Sequence, residues 1–493
     1  MSEYLNALVV KIRHFCQNDV CIISSLIASA LGYFLFNIQY YHVPDPDVFQ
    51  YIHEGEMYLR HPFIWMATPP AYSIWLFLLE RIVPIVDSGI VAGIFFNILF
   101  VCATCFLLWK LSKPWLGHFA LIAAACFVVN PITAHGALQP INSTAAVFFS
   151  IMYIYTRTAN PSLGYLCVAL AYFCRLEAIV LLPICILSEL IEHRTIRKPL
   201  VLLIIGLVVT HWTLYGYYSD PQYLQEITTR IDEIPNNKFL ILTFISAIFN
   251  GKSDSLFFAN TMMIWLLLGV IVISLKKRVM TPVIFGLYIL GYCYIHWRFP
   301  VAVPRYSYPV LPFIFGLLFW PVIYIKQLTP KLSRVLMIVI SLISITILYR
   351  SIMYRDFQSS LQWSRADKRM AGEWLRTNTK NPTIIYGFMS DIIQYYSHNP
   401  RITYPLFFDT NQLVDNICTR KHDIIVFVDN DPKRRQYYYS YGKGEVFVDT
   451  FLESQSFELF QKVEVLTLRD MELIVYKYDK DQKIDIKLQE ICN

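Results

Sequence analysis

The chain has 493 residues, is 56% hydrophobic and 16% aromatic, and carries a net charge of +6 from 42 basic and 36 acidic side chains. Its mean hydropathy of +0.44 is more apolar content than the core of a water-soluble domain absorbs, which excludes an ordinary globular enzyme. The basic residues are scattered over short loops and form no dense patch, which excludes a nucleic-acid partner.

In chain order, residues 1–20 form a short amphipathic start with Lys11 and Arg13. The apolar run Cys21 to Ile38 follows. Its small-residue site, Ala28-Ser29-Ala30, sits in the middle of the run and not after it, so the run reads as an uncleaved first span. The polar stretch from His42 to Glu56 packs four carboxylates (Asp45, Asp47, Glu54, Glu56) and two histidines (His42, His53) into fifteen residues. Acids at a membrane surface are costly to hold, so this stretch is either a site or a solvated boundary loop. Tyr72 to Val86 carries Glu80 and Arg81 and reads as an amphipathic helix lying at the interface, inside an outer loop of residues 39–87.

Further spans are predicted near 88–109, 115–130, 142–157, 162–174, 178–192, 199–217, 256–275, 280–297, 306–325 and 333–349. With the first they make about eleven, each near crossing length. Most of the eleven cysteines fall inside these runs; Cys102 and Cys105 read as packing or lipid-facing thiols, while Cys418 and Cys492 lie in the tail, where a bridge between them is open but spacing does not establish it.

Charge bias sets the orientation. With a cytoplasmic N-terminus, the inner loops carry Lys110 and Lys113, Arg157, Arg194 with Arg197 and Lys198, Lys276 to Arg278, and Lys326, Lys331 and Arg334. The opposite side receives Asp45, Asp47, Glu54, Glu56, Glu177, Asp220, Asp232, Glu233 and Asp254, as the positive-inside rule requires. Residues 1–349 are thus the membrane module and 350–493 a soluble domain outside the cytoplasm. In that domain Asp367 to Thr377 has helical spacing, and Thr383–Gly387, Asp423–Val428 and Leu473–Tyr476 read as short strands. The mixture predicts a small α/β or α+β fold with no nucleotide-binding glycine pattern.

The outer side gathers the acidic loop, Asn130-Pro131 through Asn142, Arg175-Leu176-Glu177, the long loop 218–255, and His296-Trp297-Arg298 through Pro304-Arg305-Tyr306. Arg175 and Glu177 interrupt an otherwise continuous apolar run, so each needs a ligand or a partner, either each other or Asp47. Arg298 and Arg305 flank a proline-broken loop, as ligands or as snorkelling interfacial side chains. Carboxylates and arginines at headgroup level suit a lipid-phosphate-linked donor: the arginine fork is bidentate toward phosphate, and a carboxylate takes the proton of an attacking acceptor.

Asp47-x-x-x-Tyr51-x-x-x-Gly55 followed by Thr68-Pro69-Pro70-Ala71-Tyr72 resembles the first outer loop of the glycosyltransferase-C superfamily, in particular the protein O-mannosyltransferase and lipid A aminoarabinose transferase group. Arg305-Tyr306-x-x-Pro309-x-x-Pro312 is similar to the pattern entering a late span of that group. The resemblance implies a polyprenyl-phosphate sugar donor, a lipid, glycan or protein acceptor, and inverting transfer, with Asp47 as catalytic base and Asp45 as second candidate. Arg175, Arg305, Tyr51 and Arg298 are the candidates for the donor phosphate, supported by Glu177, His53, Tyr72 and Tyr306. Pro46 separates the two aspartates that many relatives hold adjacent, and this spacing also suits a divalent metal; two carboxylates do not fill such a shell, so no metal or other cofactor is expected. Thr68 stands where a lysine often precedes the Pro-Pro element, and His42-Val43-Pro44-Asp45 also resembles the start of the mannosyltransferases that build glycolipid anchors, so the subfamily is open. A transporter or flippase of lipid-linked sugars is the alternative; it favours internal repeats and midplane breaks, which the sequence lacks. A membrane scaffold presenting the tail is a third reading.

Overall fold

A computed structural model describes residues 19–37, 46–60, 69–82, 88–117, 119–157, 159–193, 197–219, 257–277, 279–295, 308–320, 367–387, 390–399, 401–403, 410–419, 421–430, 451–468 and 471–478. The chain divides into two compact units, one of Met1–Gln39 with Tyr51–Asp356 and the other of Tyr40–Gln50 with Phe357–Asn493.

The first unit is helical: α1 Asp19–Asn37, α2 Pro46–Arg60 (which it shares with the second unit), α3 Pro70–Ile82, α4 Ser88–Leu116, α5 Phe119–Val129, α6 Pro131–Leu138, α7 Asn142–Thr156, α8 Pro161–Cys174, α9 Leu181–His193, α10 Arg197–Ser219, α11 Phe257–Lys276, α12 Met280–Ile295 and α13 Leu311–Leu318. Four of these open on a proline, whose fixed φ suits the first helical position and whose missing N–H would be unpaired there anyway. At α8 the Asn160 side chain completes the start by accepting from the Leu163 amide at 3.3 Å.

Among the described residues one helix, Gly89–Leu116, is long and apolar enough to cross a membrane, and Phe119–Val129 with Ile132–Leu138, bent by 64°, forms a second candidate. The expected break near residue 109 is absent. Lys110 and Lys113 stay on α4, their ammonium groups 5.9 and 5.2 Å from the Trp109 ring centroid, and the helix stops at Gly117, whose φ of +56° lies in the left-handed region that glycine adopts at no steric cost. The loop expected over Asn130–Asn142 is in large part α6, entered through the Asn130-Pro131 break. Cys102 and Cys105 are free and buried, hence packing thiols.

Arg157, expected among inner-loop charges, is instead buried at the end of α7. Its guanidinium meets Glu192 at 2.7 Å and Glu189 at 3.5 Å, and Lys198 approaches Glu189 at 3.6 Å. Burying an arginine is costly unless acids and hydroxyls surround it, which here they do.

In the second unit a helix over 367–378 precedes β1 Thr383–Tyr386, α15 Ser390–Ser397, β2 Ile402–Thr403, α16 Thr410–Thr419, β3 Asp423–Asp429, β4 Gln461–Leu468 and β5 Met471–Tyr478; the helix over 367–378 is α14. The sheet order is β2-β1-β3-β5-β4, with β1 parallel to β2 and β3, and β5 antiparallel to β3 and β4. Every residue of β3 is buried because both faces are covered. Ile424, Val426 and Val428 pack with Leu413, Ile417, Phe451 and Tyr478; Ile425 and Phe427 pack on the other side with Ala371, Leu375 and Ile393. The α/β expectation is met, with β2, β4, α15 and α16 additional to the elements read from sequence. Within this unit the Phe49 ring lies 4.5 Å from that of Tyr395, and Cys418 is disulfide-bonded.

Candidate functional site

From Pro46 onward the polar stretch is helix α2 and not a loop. Tyr51, Glu54 and Tyr58 fall at helical spacing on one face. Tyr51, Glu54 and Tyr58 are buried, whereas His53 points to the exposed side. Asp47 lies in the first turn, and its side chain is outside the described residues, as are Asp45, Arg298, Arg305 and Tyr306 altogether.

Gly55 explains the small residue of the motif. A Cβ there would lie 2.1 Å from the Ser73 carbonyl oxygen and 2.8 Å from the Phe77 Cβ. Helix α2 therefore crosses α3 backbone against backbone, which only glycine permits. The crossing brings the Tyr51 and Tyr72 rings edge to face at 5.8 Å. The Tyr72 hydroxyl donates to the Asn97 side-chain oxygen at 3.1 Å. Burial, chiefly, and the neighbouring Tyr51 push the Tyr72 phenol well above its usual range of about 10, against the opposing Asn97 hydrogen bond. Tyr72 is thus a fixed hydrogen-bond donor and not a base. At the far end of α3, Glu80 accepts from the Gly89 amide at 2.5 Å, a carboxylate set against the start of α4.

The second cluster forms where α8 stops. Arg175 leaves the helix with extended backbone, φ −155° and ψ 122°, and a 3-10 turn over Leu176–Val180 leads into α9. The arginine is buried. One terminal nitrogen donates to the Ser143 hydroxyl in a short contact and reaches the Asn142 amide oxygen at 3.5 Å. The other meets Glu177 at 3.1 Å. The ion pair between Arg175 and Glu177, one of the sequence alternatives, is formed. Asn142 and Ser143 open α7, whose N-cap Ile141 supplies no side-chain hydrogen bond. They are not a cap but partners of Arg175. A guanidinium and the positive end of a helix converge there, a combination that attracts anions.

Sequence reading gathered Asn142 on the same side as Arg175 but gave Asn142, Ser143 and Asn97 no role. The usable signal for Asn97 was an amide inside an otherwise apolar run; for Asn142 and Ser143 it stopped at the side, since the sequence does not show that the end of α8 meets the start of α7. Tyr308 packs on the α6 side of this corner, its ring lying so close to Gly136 that a Cβ there would sit 2.9 Å away. Among the described residues no group of three or more His, Cys, Asp or Glu side chains is placed to hold a metal ion.

No family model matches the chain, and no curated protein does. Solved structures do. The crystal structure of ArnT from Cupriavidus metallidurans in the apo state is similar over 92% of this chain and 97% of its own, at 12% identity and a TM-score of 0.56. The oligosaccharyltransferase of Archaeoglobus fulgidus in the apo form aligns over 83% of this chain and 69% of its own at 12% identity, with a TM-score of 0.47. The same enzyme tethered by a disulfide bond to an acceptor peptide containing the NVT sequon aligns over 94% and 74% at 11% identity, with a TM-score of 0.49. The chain shares the fold of ArnT, a lipid A aminoarabinose transferase of the glycosyltransferase-C superfamily, the group that its outer-loop motifs resemble.

Proposed function

We propose that the chain is an integral-membrane glycosyltransferase of about eleven spans that moves a sugar from a polyprenyl-phosphate donor to a lipid, glycan or protein acceptor outside the cytoplasm. The observation that carries this reading is the buried Arg175 at the broken end of α8 beside the start of α7, within a fold shared with ArnT. The Cys418 disulfide adds support for an extracytoplasmic tail, since such bonds persist in oxidising compartments.

In this reading the Asp47 carboxylate, with Asp45 as second candidate, accepts the proton of an acceptor hydroxyl or amine while that atom attacks the anomeric carbon. The bond from that carbon to the phosphate oxygen breaks, the sugar inverts, and polyprenyl phosphate leaves with the bonding pair. Arg175 meets the charge that develops on the departing phosphate, with Arg305, Arg298 and Tyr51 as further donor ligands and Glu177, His53, Tyr72 and Tyr306 as support. Arginine is suited to this because its charge is permanent and its donor fork planar. The reading requires no metal.

The test is sugar release and transfer from a panel of polyprenyl-phosphate sugars by the purified full chain, wild type against Asp47→Asn. The expected result is turnover by the wild type and its loss, by about a hundredfold or more, in a variant that still binds the donor. Equal turnover by both removes Asp47 from the role. Donor binding without any turnover by the wild type moves the protein to lipid-linked sugar transport.

A further inference from the structure

Asn97 stands in the middle of α4, within Ile94-Phe95-Phe96-Asn97-Ile98-Leu99-Phe100, with 0% of its surface exposed. An amide in such apolar surroundings is costly unless its hydrogen bonds are made. They are made to segments remote in sequence. The side-chain oxygen accepts from Tyr72, 25 residues away, at 3.1 Å. The side-chain nitrogen donates to the carbonyl oxygens of Gln139 at 2.7 Å and of Gly136 and Ile141 at 3.2 Å each. An amide nitrogen has two protons for these three acceptors, so at least one is shared.

Those carbonyls close α6 and form the turn that runs directly into Asn142 and Ser143, the partners of Arg175. The same corner is tied a second time, by the Thr144 hydroxyl donating to Gly136 at 2.8 Å. On the other side, Tyr72 holds Tyr51 edge to face. One amide therefore bridges the tyrosine pair of the first outer loop and the turn that carries the arginine cradle.

We propose that Asn97 is a positioning residue that sets the Tyr51–Tyr72 pair against the Asn142–Ser143–Arg175 cluster. The proposal rests on the transferase reading, in which the tyrosine pair belongs to the catalytic loop and Arg175 to the donor phosphate. Two reacting partners held in near-attack geometry lose about a hundredfold in rate when one is displaced by about 1 Å, even where each still binds. Asn97 acts on that geometry and touches neither substrate.

The experiment measures kcat and donor KM for the full chain in lipid nanodiscs, first screening the wild type against a panel of polyprenyl-phosphate sugars and then using a donor that it turns over. Asn97→Asp keeps an acceptor for Tyr72 and loses the amide donors to the turn. It is expected to lower kcat by about ten- to a hundredfold with donor KM within about threefold. Tyr72→Phe, which deletes the other arm, lowers kcat by about three- to tenfold, and the double variant loses less than the product of the two because both act through one network. Unchanged kcat in both single variants, or a rise in KM alone, overturns the proposal. Where Asn97→Asp fails to fold, Tyr72→Phe removes a single hydroxyl and decides by the same split. A wild type that turns over no donor overturns the transferase reading itself, a result distinct from an active wild type with unaffected variants.

Discussion

Helix α7 has a buried arginine at each end, and the two are held in opposite ways. At its C-terminal end Arg157 is the capping residue, where the helix field favours a cation, and it is enclosed by Glu189, Glu192, Ser188 and the second cation Lys198. At its N-terminal end Arg175 comes in from another segment to the end that repels cations. Glu177 is its ion-pair partner, with neutral oxygens from Asn142 and Ser143 beside it. The first arrangement encloses an arginine in the protein's own acids, as a structural ion pair does. The second leaves the positive field of a helix end beside a guanidinium, as an anion site does.

The comparison breaks most visibly under alanine. Arg175→Ala is expected to reduce sugar transfer by about a hundred- to a thousandfold with a modest fall in thermal midpoint. Arg157→Ala is expected to cost about 3–5 kcal/mol of stability by removing the cation that pairs with Glu189 and Glu192, while the surviving folded protein keeps its donor KM. Thermal unfolding and transfer assays on both variants check this; the reverse pattern would exchange the two roles.

Lysine sharpens the distinction between fork and charge. Arg175→Lys keeps the charge but loses bidentate geometry, and is expected to cost about tenfold in kcat/KM for the donor. Arg157→Lys keeps an ammonium among the same acids and is expected to shift the thermal midpoint without altering kcat.

The smallest effect concerns pH. The Tyr72 phenol is held well above its unfolded value of about 10 by burial. The folded chain therefore keeps a proton that the unfolded chain releases, so this contribution to stability is whole below pH 10 and is lost as pH rises beyond it toward the folded value. Tyr72→Phe is expected to flatten the fall in thermal midpoint above pH 10 while lowering the midpoint slightly at neutral pH, read by unfolding at a series of alkaline pH values.

Much of the fold is legible locally. The helix beginning at the Pro69-Pro70 element, the helix over 367–378 and the strands around Ile385, Val426 and Val475 follow from proline placement, apolar period and β-branched runs. The missed break at residue 109 has a local cause too: lysines that look like a loop can stack on Trp109 and stay helical, so the true stop is the glycine that follows. Arg175 was identifiable because a charge inside an apolar run demands a partner. Which partner it takes was not, since Glu177 is two residues away but Ser143 is 32.

By itself the sequence determined where helices begin and where charge interrupts apolar runs. Those properties come from backbone sterics and from the cost of burying charge, which act over a turn or two. Only the tertiary structure decided that Gly55 meets the Ser73 backbone, that the start of α7 faces Arg175, and that Asn97 joins Tyr72 to the turn over Gln139 and Ile141. Such pairings depend on the register of helices against one another, set by the packing of many apolar side chains at once and written in no short stretch of chain.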